Sequence, residues 1–402
     1  MIEEEDARAQ ILASVAETAV EAIPLDESLG RFVARDVIAQ VAIPGFDNSA
    51  MDGYAVRAAD AIAGAELRVV GEQPAGRALG LVLGKGEAIR IFTGAPMPQG
   101  ADAVVMQEDA EREGEMVRIV EAAEGVGEFV RIRGSDLCEG QRILSRGDRL
   151  TAQRIGLLAS QGMAEVAVGG LPRIGILSTG DELVEPGKPL GDGEIYNSNS
   201  LMLAMMARRL MPGGALAVKR YHALDEMAAL EEVIARALDE NDILVIAGGV
   251  SVGDRDLVKP VLERCGVETG FWRVRLKPGK PFLFGRGDSG RKLIFGLPGN
   301  PVSAFVTFEV FVAPALRRWM GAREDEILPR PIPVVLTEAI RNDGDRPHYV
   351  RGILDRDGRR FLPAGMQQSH ALNGLAQADG LLRVDAGESS PAGAEVLVFP
   401  VA

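Results

Sequence analysis

Several clusters in this 402-residue sequence gather glycine, carboxylate, hydroxyl and ammonium groups at spacings that suit capture of an oxyanion. Gly248-Gly249-Val250-Ser251-Val252-Gly253-Asp254-Arg255-Asp256 would point successive backbone N–H groups into one concavity, next to a helix start whose positive end adds to the field. Ser251 offers a further donor. Asp256 would hold a magnesium ion, which is usually bound by one or two carboxylates together with phosphate oxygens. The same glycines would also serve a plain strand-to-helix turn that needs positive φ. Ser178-Thr179-Gly180-Asp181-Glu182 brings two more carboxylates, which belong beside a phosphate cradle mainly if a cation joins them and otherwise read as a cap or solvated turn. Asp225 taken alone is fully explained as a helix cap.

Lys277-Pro278-Gly279-Lys280-Pro281 sets two ammonium groups three residues apart on a stiff segment, so less entropy is lost when they meet an anion. A solvated basic turn has the same composition. Gly296-Leu297-Pro298-Gly299-Asn300-Pro301 is a rigid junction ahead of Val302-Ser303-Ala304-Phe305, with unpaired N–H groups beyond its prolines. Nearer the N-terminus, Phe46-Asp47-Asn48-Ser49-Ala50-Met51-Asp52-Gly53-Tyr54-Ala55 crowds acidic and amide groups that order turns through their own side chains. Phe92-Thr93-Gly94-Ala95 exposes Thr93 after an apolar strand.

Three of these turns follow short apolar runs, Ile174 to Leu177, Ile243 to Ala247 and Leu293 to Phe295. Runs that do not alternate predict strands buried on both faces of a parallel sheet, whose ligands bind outside the carboxyl ends. Between the strands the spacing predicts a helix to Leu210 capped by Ser198 or Asn199, then a strand over 215–221 and a helix capped by Asp225. A short helix from Asp256 to Arg264, strands over 267–274 and 281–285, and a helix from Pro301 to Trp319 follow. This alternation predicts a doubly wound α/β domain. After a linker at 321–333, Val334 to Leu336, Val350 to Leu354, Leu381 to Val384 and Val396 to Val401 predict a small all-β domain. Glu5 to Ala22 reads as an amphipathic helix, 66–145 as a β module, and Leu150 to Gly162 as a helix capped by Thr151.

A net charge of −14 argues against nonspecific nucleic-acid binding, so positive charge must be local if the ligand is an anion. No apolar run approaches the roughly 20 residues that span a bilayer. The acidic Met1-Ile2-Glu3-Glu4-Glu5-Asp6 is unlike a secretory signal, so a soluble, cytoplasmic protein is expected. Cys138 and Cys265 read as buried thiols, and His222, His348 and His370 are too dispersed for a histidine-based metal site or triad.

Taken in register, the 46–55, 92–95, 178–182, 248–253, 277–281 and 296–301 motifs resemble the molybdopterin molybdenumtransferases, related to the C-terminal domain of gephyrin, over nearly the whole chain. The resemblance implies a homodimer of four-domain subunits. These are a discontinuous N-terminal helix-and-strand domain at 1–44 and 141–170, an inserted β-rich domain at 45–140, the molybdopterin-binding α/β domain at 171–325, and a C-terminal β-barrel at 326–402. It implies a reaction that consumes adenylylated molybdopterin and molybdate, releases AMP and requires a divalent cation such as Mg2+. Cofactor-synthesis proteins and apo molybdoenzymes are the implied partners, with neither nucleic acid nor membrane.

Carried over by motif, Gly180, Gly248, Gly249, Ser251 and Gly253 would contact substrate phosphate. Glu182, Asp225 and Asp256 would work around the cation, and Asp52, carried by the partner subunit, would be the remaining catalytic acid. Thr93, Arg133 and Asp136 would line the cleft, Lys277 and Lys280 would bind phosphate or molybdate, and Pro298, Asn300, Pro301 and Ser369 would complete the wall. Ala247 and His370 depart from residues common in the family, serine or threonine at the first and glycine at the second. The alternatives are an adenylyltransferase that activates molybdopterin with ATP and a gephyrin-like binding scaffold.

Overall fold

The computed structural model describes residues 1–16, 19–213, 217–249 and 257–401. Contacts divide the chain into two compact units, Asp36–Leu144 and Met1–Arg35 with Ser145–Ala402.

The larger unit holds a six-stranded sheet made of β1 (Ile174–Thr179), β2 (Val218–Ala223), β3 (Ile243–Ala247), β4 (Glu268–Trp272), β5 (Leu283–Gly287) and β6 (Lys292–Leu297). Their order across the sheet is β2-β1-β3-β6-β5-β4. The first four are parallel, β5 runs antiparallel to β6, and β4 antiparallel to β5. Side chains alternate between two cores. Ile174, Ile176, Val245 and Phe295 face one, which takes in α1 (Ser198–Leu210) and the helix from Pro301 to Trp319. Leu177, Leu244, Ile246 and Ile294 face the other, built with α2 (Met227–Glu240) and α3 (Val258–Arg264). Helices on both faces make the sheet doubly wound, which is why its central strands β1, β3 and β6 are almost wholly buried, whereas the edge strands β2 and β4 expose Lys219, Arg220, His222 and Glu268.

Five further strands close a barrel: β7 (Ile332–Leu336), β8 (His348–Leu354), β9 (Arg360–Pro363), β10 (Gly380–Val384) and β11 (Glu395–Pro400). In the smaller unit a six-stranded sheet carries Gly53–Val56 between Ala103–Met106 and Glu87–Ile91. The first and last strands of that unit, Val37–Ile38 and Arg142–Leu144, pair antiparallel as a separate two-stranded sheet.

Several local expectations change. The N-terminal helix spans Glu4–Ala13 rather than reaching Ala22, because Val20–Pro24 pairs as a strand with Glu165–Gly169. Asn197, not Ser198 or Asn199, caps α1 by accepting from Ser200 N, and the cap position of α2 is Glu226 rather than Asp225. Asp256 lies outside the described residues, where α3 begins at Val258. The helix after Pro301 is continuous but carries a π-helical segment, Phe308–Val312. The expected linker is partly helical at Glu324–Ile327, with Ile327 buried and Arg323 Nη1 2.7 Å from Asp148 Oδ1. Cys138 is exposed and Cys265 half-buried, so neither is a core thiol. Thr151 caps Ala152–Ser160 as expected, accepting from Arg154 N.

Among the described residues no helix is long and apolar enough to cross a membrane.

Candidate functional site at the carboxyl edge of the sheet

The three turns singled out in the sequence leave β1, β3 and β6, adjacent parallel strands, at their carboxyl ends. They touch one another. Gly248 N donates to Leu297 O at 3.1 Å, and a Cβ on Gly299 would lie 3.7 Å from Gly248 Cα. Gly248 and Gly249 both have positive φ, +96° and +64°. A Cβ at Gly249 would stand 2.5 Å from Val258 Cγ2 and 3.0 Å from Thr179 Oγ1, so both conformation and space require glycine there. Thr179 Oγ1 is buried and makes no hydrogen bond among the described residues, leaving a hydroxyl donor beside the turn. Ser251, Gly253 and Asp256 lie outside the described residues.

The acids gather at the ends of β1 and β2. Asp225 N donates to Asp181 Oδ1 at 3.0 Å, and the Glu182 carboxylate folds back over Gly180, within 2.6 Å of where a Cβ would stand. Partial burial, then repulsion from Asp181 and Glu182, pushes the Asp225 carboxyl above its ordinary range, with His222 opposing. Asp225 does not cap α2, so capping no longer accounts for it. No three metal-ligating side chains converge among the described residues. The arrangement suits a cation that takes one or two carboxylates and completes its shell with water and ligand oxygens, as magnesium does.

Next to Pro298 the basic segment forms the wall of a cavity of about 510 Å³. Lys277, Lys280, Pro298, Asn300 and Ser369 all line it, so five expected site residues meet in one place. Backbone bonds fix the basic segment to the barrel, with Lys277 N donating to Pro347 O at 2.9 Å and Tyr349 N to Lys277 O at 2.8 Å. Gly279, at φ +130°, packs where a Cβ would meet Thr307 Cγ2 at 2.6 Å. Asn300 Nδ2 donates to Ser369 Oγ at 2.9 Å, and Val302 N to Ser369 O at 3.1 Å, which ties the 367–369 segment to the helix opened by Pro301. Asn199 Nδ2 closes the junction on Gly299 O at 2.7 Å.

Arg346, His348 and Gln367 also line the cavity and were not singled out in the sequence. Lys277 reaches His348 only through a parallel bridge between distant segments, a pairing with no local signature.

In the smaller unit, Asp52 Oδ1 accepts from Thr93 N at 2.7 Å and from Thr93 Oγ1 at 2.9 Å. These two bonds, the N–H first, hold the Asp52 carboxyl below its ordinary range. Arg90 braces the pair, with its guanidinium 5.3 Å from the Tyr54 ring centre and 5.0 Å from that of Phe92, and donating to Gly53 O. Arg133 N donates to Asp47 Oδ1 at 2.7 Å and Asp136 N to Ile43 O at 3.0 Å, so both belong to the turn packed against the 43–52 segment.

Residues 2–162 match the family model of the MoeA N-terminal region (domain I and II), 175–318 that of a probable molybdopterin binding domain, and 333–401 that of the MoeA C-terminal region (domain IV). A molybdopterin molybdenumtransferase of Haemophilus influenzae is 36% identical over 90% of this chain and 89% of its own. Molybdopterin molybdenumtransferase 2 of Mycobacterium tuberculosis is 38% identical over 90% of both. The crystal structure of a molybdopterin biosynthesis MoeA protein from Pyrococcus horikoshii superposes with a TM-score of 0.81 at 31% identity, covering 100% of this chain and 99% of that one. Two relatives above 30% identity across nine-tenths of their length, with family models spanning both units, settle the assignment: this chain belongs to the molybdopterin molybdenumtransferase family.

Proposed function

We propose that the protein acts in molybdenum cofactor biosynthesis, inserting molybdenum from molybdate into adenylylated molybdopterin with release of AMP. The observation that carries this reading is the cavity at Lys277 and Lys280. In a chain of net charge −14, these two ammonium groups and Arg346 gather around one space beside the glycine turns. That concentration of donors suits a tetrahedral dianion. Gly248 and Gly249, with the hydroxyl of Thr179 that lacks a partner among the described residues, suit a phosphate at the next strand end. Cleaving a pyrophosphate link moves negative charge onto the departing phosphate, so catalysis consists mainly of positioning and of donors that meet that charge.

Glu182 and Asp225 are the described residues that would hold magnesium, and the raised carboxyl of Asp225 reflects partial burial and, after it, a repulsion from Asp181 and Glu182 that a cation relieves. When bound, the ion supplies positive charge beside the scissile phosphates. Asp256 is assigned to the same task. Asp52, held ionised by Thr93, is assigned as a further catalytic acid or base, with Thr93, Arg133 and Asp136 as substrate-binding residues. Gly180, Ser251, Gly253, Pro298, Asn300, Pro301 and Ser369 complete the proposed substrate contacts. We also assign a cytoplasmic homodimer and the four domains 1–44 with 141–170, 45–140, 171–325 and 326–402. Proteins that supply the adenylylated substrate and apo molybdoenzymes that take the product are its proposed partners.

Purified protein given adenylylated molybdopterin, magnesium and molybdate is expected to release AMP and yield a cofactor that reconstitutes an apo molybdoenzyme. Consumption of ATP and molybdopterin to make the adenylylated compound would instead identify an adenylyltransferase.

A further inference from the structure

We propose that the cavity at Lys277 takes up its oxyanion together with a proton, and that His348 is the group that receives it. The inference rests on the oxyanion reading of the same cavity given above.

His348 opens β8 and is only 7% exposed. Its Nε2 is enclosed and has no hydrogen-bond partner among the described residues, which is unusual for a buried polar atom. The backbone sets it beside Lys277, an exposed cation of the same cavity. Lys277 bonds to Pro347 and Tyr349, the residues on either side, and bridges His348 itself.

The charges around the imidazole share one sign. Lys277 from the basic segment and Arg351 from its own strand both disfavour its protonation, and Lys280 and Arg346 line the same cavity. Asp345, three residues before His348 in the chain, is engaged by Arg346 Nε at 3.1 Å, and no carboxylate lines the cavity among the described residues. Burial first, then Lys277 and Arg351, push the imidazole down to about 4, so with only the chain's own charges around it His348 is neutral at pH 7.

A dianion reverses that balance. Opposite charge within about 4–6 Å favours the protonated ring by about one to three pH units. The imidazolium then offers Nε2–H to a site in which that atom lacks a partner. Protonation and anion binding are therefore reciprocal. The histidine midpoint is raised in the bound form, so the proton-linked part of the affinity is complete at low pH and is lost as pH rises through the bound-state midpoint. The limit is about tenfold in affinity per pH unit for one linked proton.

The chain has three histidines, so 13Cε1-histidine NMR resolves each one, and the signal lost in His348→Gln identifies this residue. Without molybdate, the His348 signal is expected to stay neutral from pH 5.5 to 8. With saturating molybdate its midpoint is expected to rise to about 5–7, so the protonated ring appears at the acid end of that window, while His348→Gln binds molybdate with an affinity that no longer carries this pH dependence. If His348→Gln does not fold, His222→Asn and His370→Asn assign the signal by elimination. Saturable molybdate binding by calorimetry with an unmoved His348 signal overturns the proton coupling and leaves the oxyanion reading intact. Absence of molybdate binding overturns both.

Discussion

Replacing Gly249 with alanine tests the packing of the candidate phosphate turn. Two separate costs arise at this position. The backbone sits at φ +64°, and a left-handed conformation costs a residue with a Cβ roughly 1–2 kcal/mol. The new methyl also stands 2.5 Å from Val258 Cγ2, an overpacking of the kind that costs roughly 1–3 kcal/mol. Gly249→Ala should therefore lose about 2–5 kcal/mol in all. Gly266 separates the two terms, since it has φ +78° with nothing within 4 Å of an added methyl, and Gly266→Ala should show the conformational cost alone. Combining Gly249→Ala with Val258→Ala removes the closer of the two tight contacts and leaves Thr179 Oγ1 at 3.0 Å, so the double variant should be more stable than the sum of the singles by up to about 3 kcal/mol. Urea unfolding followed by tryptophan fluorescence reads the right unit, because both tryptophans, Trp272 and Trp319, lie in it. The reasoning fails if Gly249→Ala costs no more than Gly266→Ala, or if the Gly249 and Val258 substitutions are additive.

Two further outcomes concern the acids. Thr93→Val removes the hydroxyl bond to Asp52 but keeps the N–H bond, so the Asp52 midpoint should rise. Its ionised form is lost as pH falls through that midpoint, so the acid limb of kcat/KM should move to higher pH in Thr93→Val and stay in place in Thr93→Ser; an unmoved limb in both would remove ionised Asp52 from the reaction. Asp225→Asn should abolish AMP release yet stabilise the fold at pH 7 by up to about 1 kcal/mol, a small figure because the side chain is exposed to solvent screening. The folded-state carboxyl is raised, so this advantage should vanish as pH falls below the ordinary carboxylate range; equal or lower stability of Asp225→Asn at neutral pH counts against carboxylate crowding.

The centre of the sheet and its turns were legible because Ile174–Thr179, Ile243–Ala247 and nearly all of Lys292–Leu297 are buried on both faces, so Ile243 to Ala247 reads as one apolar run without any knowledge of its neighbours. Thr151 and Pro301 were legible as helix starts because capping and proline placement are local rules. Val20–Pro24 was not, since its partner strand, Glu165–Gly169, is remote in sequence and the segment itself is mostly exposed. The 321–327 segment reads as a linker by composition, but Ile327 is drawn into the main core. Within the candidate site, the lysine pair and the glycine turns announce themselves by residue type. His348 does not, because a lone histidine in a strand acquires meaning only from Lys277 and Arg351 folded against it. The π-helical segment at Phe308–Val312 likewise leaves no mark in the apolar spacing.

The pairing of Val20–Pro24 with Glu165–Gly169 bears on how the chain is made. At ribosomal rates of about 5–20 residues per second, the first of these strands emerges roughly 7–30 s before the second exists. Everything in Asp36–Leu144, including the antiparallel pair that joins its two ends, is synthesised in that interval. The unit inserted in sequence is thus complete before its host can close, and the opening residues spend that time as an unpaired strand edge. Nascent chains stalled before Glu165 should expose that edge to chaperones.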